Sequence, residues 1–183
     1  MKPSTSINLT EQTLDSGISQ LRGSPIESVY LWALPTRSAH VHGPSVEFFF
    51  PDNELAIGGE ILQVGPKEEA FNLEFRKTMG LKYWRNEVDN PKETNVADAQ
   101  DLTVEWKTKG LDALLAGPRD VRLYTRSNPV AIRGKLAGIE ITAKESPQQR
   151  ILIVASEDDP GDVVVITPSY DYEHAIAKLT LLQ

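Results

Sequence analysis

His40, His42 and Glu47 are the residues whose types and spacing come nearest to a reaction centre. Two of the chain's three histidines stand one residue apart in SAHVHGPSVEFFFPDNE (38–54), with a glutamate five positions after the second. On an extended backbone the two imidazoles leave the same face, with Cα atoms roughly 7 Å apart. Two imidazole nitrogens and one carboxylate oxygen make a divalent-metal triad. Glu47 has the wrong parity for one continuous strand, but Gly43-Pro44 must bend the chain between them. The plainer reading places both histidines half-exposed at a loop-to-strand entry. It is preferred, because a short motif outside its structural context matches by accident.

The run H-x-H-x4-E resembles the core of the first motif of the cupin β-barrels, and that resemblance implies metal ligation by His40, His42 and Glu47. It covers residues 40–47 alone. Leu34 and Glu54 stand where the family's flanking glycines fall. The remaining histidine, His174 in YDYEHAIAK, lacks the Pro-x-Gly turn of the family's second motif. No family is assigned on this basis.

A second group is RDVRLYTR (119–126). On a strand Arg122, Tyr124 and Arg126 share one face while Val121 and Leu123 share the other. Arg119, Arg133 and Lys135 lie close in sequence. Guanidinium forks beside a phenol ring suit a phosphate, a carboxylate or an unstacked base, which makes this stripe the anion-binding candidate. The competing reading is a solvated strand face whose arginines pair with cross-strand acids such as Glu105. A third group, SEDDPGD (156–162), offers several carboxylates to a hard cation. Its spacing is not that of an EF-hand, and acids between ILIVA and VVVI read better as a turn that guards two β-prone segments.

Other signals concern partners. The segment 85–101 is polar, without periodicity, and long for a loop in a compact domain. Beside YWRNE it gives Trp84, Asp89, Glu93 and Asp98 as the partner-binding candidates, with one of Tyr83 and Trp84 facing outward as an anchor. Trp32, Trp84 and Trp106 line a ligand cavity if the sheet closes into a hollow barrel, although strand aromatics are more often packed core. No phosphate-binding glycine loop, nucleophile elbow or H-E-x-x-H helix is present.

Composition narrows the field further. A net charge of −7 over 183 residues argues against a general nucleic-acid or anionic-membrane binder. The lack of cysteine removes disulfides, thiolate zinc sites, iron–sulfur clusters and cysteine nucleophiles. The first residues carry no apolar signal core, and VYLWAL and ILIVA are too short to span a bilayer, so a soluble, cytoplasmic protein is expected.

The elements that must position these groups follow from periodicity. Residues 1–9 read as a flexible tail and 10–183 as one domain. A helix is predicted from Thr10, as its cap, to Arg22, with Leu14, Ile18 and Leu21 on one face and Gly23 and Pro25 as its stop. ESVYLWAL, VEFFF, ELAIGGEILQV, FNLEFRK and LTVEWK read as strands, with Gly58-Gly59 marking a hairpin or a bulge. DVRLYTRS, VAIRGKLAGIEITA, RILIVAS and DVVVITP read as an antiparallel meander. At the C-terminus Tyr172, Ile176 and Leu179 fit a helix capped by Ser169 or Asp171, preferred over a strand through Ala175, Ala177, Leu179 and Leu181.

The expectation is therefore a mainly β (α+β) fold, an antiparallel barrel or sandwich-like domain with a helix at each end. Its expected function is that of a non-catalytic interaction protein, such as an inhibitor, an immunity-type protein or an adaptor, without a cofactor. Two alternatives stand behind it: a small-ligand-binding barrel, and a metal-dependent enzyme centred on His40 and His42.

Overall fold

The computed structural model describes residues 6–33, 41–78, 80–83, 98–126, 135–159 and 161–182. Two antiparallel sheets face each other in a sandwich-like α+β arrangement, and no closed barrel forms among the described residues. The first sheet has the order β5-β4-β3-β1-β6, from β1 (Ser28–Ala33), β3 (Ser45–Phe49), β4 (Glu54–Gly65), β5 (Glu68–Arg76) and β6 (Asp98–Asp101). The second has the order β11-β7-β8-β9-β10-β2. It contains β2 (Val41–Gly43), β7 (Arg119–Arg126), β8 (Gly138–Ala143), β9 (Ser146–Ala155), β10 (Val163–Ile166) and β11 (Leu179–Leu181). The predicted meander is thus present as β7 to β10.

Between the sheets the alternating apolar residues meet. Leu31, Phe48 and Ile57 come from the first sheet, and Ile139, Ile151 and Val163 from the second, all without solvent exposure. This is the burial that drives the fold, at about 25 cal/mol for each Å² of apolar surface removed from water. The bend expected at Gly43-Pro44 is where the chain leaves β2 in one sheet and enters β3 in the other.

Three helices join the same core. α1 (Ser6–Gly23) contributes Ile18 and Leu21. It begins before the predicted cap at Thr10. α2 (Leu102–Thr108) corrects the strand expected for LTVEWK. Asp101 caps it by accepting from the Thr103 amide at 2.8 Å, and Thr103 Oγ1 accepts from the Val29 amide at 2.8 Å. Leu102 and Trp106 are buried one turn apart, whereas Val104, which a strand would have buried with them, is 64% exposed. Trp106 packs against Phe48 in the filled interior. α3 (Asp112–Ala116), also unforeseen, buries Leu114 and Leu115.

Gly58 and Gly59 make neither a hairpin nor a bulge, for β4 runs through them and its irregularity lies between Gln63 and Gly65. A Cβ on Gly59 would sit 2.2 Å from the Gly161 carbonyl oxygen, so glycine here lets β4 approach the β9–β10 turn. The C-terminus combines both readings. α4 (Tyr170–Ala177) is capped by Ser169, whose Oγ accepts from the Tyr172 amide at 3.3 Å, and β11 follows it. Among the described residues no helix is long and apolar enough to cross a membrane.

Candidate functional site

Antiparallel register builds a charged patch on the outer face of the second sheet. Arg122 on β7 lies opposite Glu140 on β8. One step along, Thr142 lies between Asp120 on β7 and Arg150 on β9. These residues line a recess of about 270 Å³, closed at one end by Lys144 in the β8–β9 turn.

Glu140 forms its floor and is only 4% exposed. A buried carboxylate needs donors, and it has them. Tyr172, projecting from α4, donates its hydroxyl to Glu140 Oε2 at 2.6 Å, and the Tyr124 hydroxyl donates to Oε1 at 3.3 Å. Burial, then the hydrogen bond to Glu140, pushes the Tyr172 phenol far above its ordinary value. Burial, then the nearby Glu140 charge, also raises Tyr124. Arg150 lies over the Tyr172 ring, 4.6 Å from its centroid, and pairs with Glu173 at 2.5 Å. α4 is held over the sheet by this contact and by a small apolar cluster of Leu152, Ile166 and Tyr172.

Of the anion-binding candidates, the recess gathers Arg122 at its rim and holds Tyr124 beneath it. Arg122 has a 64% exposed side chain and stands 3.8 Å from Glu140. Arg126 goes elsewhere: its guanidinium donates to the Ala155 carbonyl and to Glu157, and its Nε reaches the Phe71 carbonyl at 3.5 Å. Burial lowers its pKa, and Glu157 works against that shift. The cross-strand acid is Glu140 rather than Glu105, which sits on α2 and pairs with Lys109 at 2.6 Å.

Arg119 points to the opposite side of β7 and is fully buried. It donates to the Leu114 carbonyl at 2.7 Å, to Leu115 at 3.4 Å, and to the Leu21 and Ser24 carbonyls. These carbonyls lie at the C-terminal ends of α3 and α1, where one guanidinium serves both helices, and that of Leu115 also accepts from the Ile26 amide at 2.8 Å. Gly117 closes α3 at φ 69°, and a Cβ there would stand 3.0 Å from Arg119 Nη1. Burial lowers the Arg119 pKa to about 10.

The metal candidates are split. His40 lies outside the described residues, as does the His42 side chain. The His42 backbone pairs with Val164 in the second sheet, whereas Glu47 sits buried in the first. Glu47 Oε2 accepts from the Leu81 amide at 2.8 Å, at the 3₁₀ turn Leu81–Tyr83. Among the described residues no group of three or more His, Asp or Glu is placed to hold a metal ion. In the acidic turn, Ser156 Oγ accepts from the Asp159 amide at 3.0 Å and the Asp159 carbonyl from the Asp162 amide at 3.0 Å, as a turn requires. Trp84, Asp89 and Glu93 lie outside the described residues, and Asp98 starts β6 opposite Ala33.

Glu140, Lys144, Arg150 and Tyr172 did not stand out in the sequence. The signal was Glu140 itself, a lone acid inside the apolar strand GIEITA. No protein-family model, curated protein or solved structure matches this chain.

Proposed function

We propose that the chain is a non-catalytic binding protein that takes an acidic group of a protein partner into the recess on β7–β9. The supporting observation is the convergence of Arg122, Lys144 and Arg150 on one recess of a chain whose net charge is −7. A guanidinium fork matches a carboxylate in two parallel hydrogen bonds. Arg122 meets Glu140 at 3.8 Å and the Tyr124 hydroxyl, and its largely exposed guanidinium keeps donors turned to solvent that an arriving acid can take. Glu140 stays in the floor on its two phenols and favours a partner group that carries a hydrogen-bond donor beside its acid. The acidic and aromatic segment around Trp84 carries no part of this reading.

The test uses N-acetylglutamate as the probe, followed by chemical-shift changes. Saturable shifts at Arg122 and Arg150 are expected, with a Kd of about 1 mM or weaker for so small a contact. Arg122→Glu with Arg150→Glu should remove the shifts and any partner retained from a native lysate. Shifts that spread evenly over all surface arginines, or retention indifferent to the double variant, would overturn the proposal.

A further inference from the structure

Lys144, which closes the recess on β7–β9, faces a further recess as well. The same side chain walls a second recess of about 560 Å³, bounded on its far side by Asp15, Ile18, Ser19 and Arg22 of α1 and below by Pro118. The Lys144 amide donates to the Pro118 carbonyl at 3.0 Å, which pins the tip of the β8–β9 hairpin at this junction. Arg22, in the last turn of α1, is exposed and reaches the Val121 carbonyl at 3.5 Å.

From these observations we infer that the ligand is an extended peptide bearing two separated acidic side chains, one held by Arg122 and Arg150 and the other by Arg22, with Lys144 between them. The inference rests on the binding role proposed above and adds the form of the partner. Charge pattern decides that form. Along the two recesses cations alternate with Asp15, Asp120 and Glu140. A uniform polyanion such as single-stranded nucleic acid would meet all three carboxylates and the repulsion of an acidic chain. A peptide spaces its acids with neutral residues and offers backbone amides to the carboxylates between the cations. Ile18 and Pro118 give its intervening side chains an apolar floor.

The experiment compares acetylated, amidated peptides holding one glutamate with peptides holding two, separated by glycine spacers of increasing length. At one spacing the two-acid peptide should bind at least about tenfold tighter, because its second contact forms within the complex. Arg22→Ala should return it to the one-acid affinity, and Lys144→Ala should weaken it further. If the one-acid peptide binds at Arg122 but no spacing adds affinity, the extended ligand is wrong and the single-recess reading stands. If neither peptide binds, both fall. Tighter binding of a single-stranded oligonucleotide than of any peptide would replace the peptide with a polyanion.

Discussion

Arg119 and Arg122 leave the same strand three residues apart and on opposite sides of it. Inward, Arg119 has no exposed surface and its donors end on backbone carbonyls of two helix termini. Outward, Arg122 is largely exposed and meets the Tyr124 hydroxyl and, at 3.8 Å, the Glu140 carboxylate. The inner charge fastens α1 and α3 to β7. The outer one is available to something that arrives. Residue type and neighbourhood in the chain do not separate the two roles; the pleat does, because odd and even positions of β7 face different surroundings.

The largest test of this division is Arg119→Met, which keeps an aliphatic stem and removes every donor. It leaves several buried carbonyls unpaired and should cost about 3–5 kcal/mol, read as a lower urea midpoint at unchanged slope. Arg119→Lys should recover only part, since an ammonium cannot serve both helix ends in the guanidinium geometry. Next comes Tyr172→Phe. It keeps the ring and its packing but takes the 2.6 Å donor from buried Glu140, for an expected loss of about 1–3 kcal/mol.

Alkaline pH sharpens the comparison, because the two faces respond with opposite sign. Burial lowers the folded Arg119 pKa to about 10, well below that of an arginine in the unfolded chain, so above pH 10 the unfolded chain holds more protons and stability rises with pH. Tyr172 is raised from 10.0, so above pH 10 the folded chain keeps a proton the unfolded chain has lost, and stability falls. The cost of Arg119→Met should therefore grow above pH 10 while that of Tyr172→Phe shrinks, each by up to about 1.4 kcal/mol per pH unit. Chemical denaturation at stepped pH reads both. A shared direction would break the assignment of burial to these two groups.

The smallest expected effect is Arg122→Ala, less than about 0.5 kcal/mol in stability, because an exposed ion at this distance contributes little. Its consequence should appear in binding of the acidic probes instead. A stability loss comparable to that of Arg119→Met would erase the distinction between the faces.

How far the sequence reached depended on whether a local pattern fits one element or two. FNLEFRK alternates over a full strand and is one, β5. LTVEWK alternates over the same number of apolar positions and is a helix. Leu102 and Trp106 are four residues apart, a spacing that is even, as a strand needs, and close to one helical turn. Only the fate of Val104 tells the two apart, and that depends on what packs against it. The recess was harder still. Arg122 and Tyr124 were visible as a stripe, but Glu140, Arg150 and Tyr172 come from other elements. Their meeting depends on the β7–β8–β9 register and on α4 folding back over the sheet, and no local pattern states either.

By itself the sequence determined the antiparallel, β-rich architecture, the chain reversals of the meander and the change of direction at Gly43-Pro44. Those follow from side-chain alternation and backbone stereochemistry, which act over a few residues. Only the tertiary structure decided which arginine of β7 is buried, which acid faces Arg122, and that Lys144 stands between two recesses. Such outcomes depend on pairing between segments distant in the chain. That pairing is selected by the burial of a whole face, because a slip of one residue would carry every apolar side chain of a strand into water.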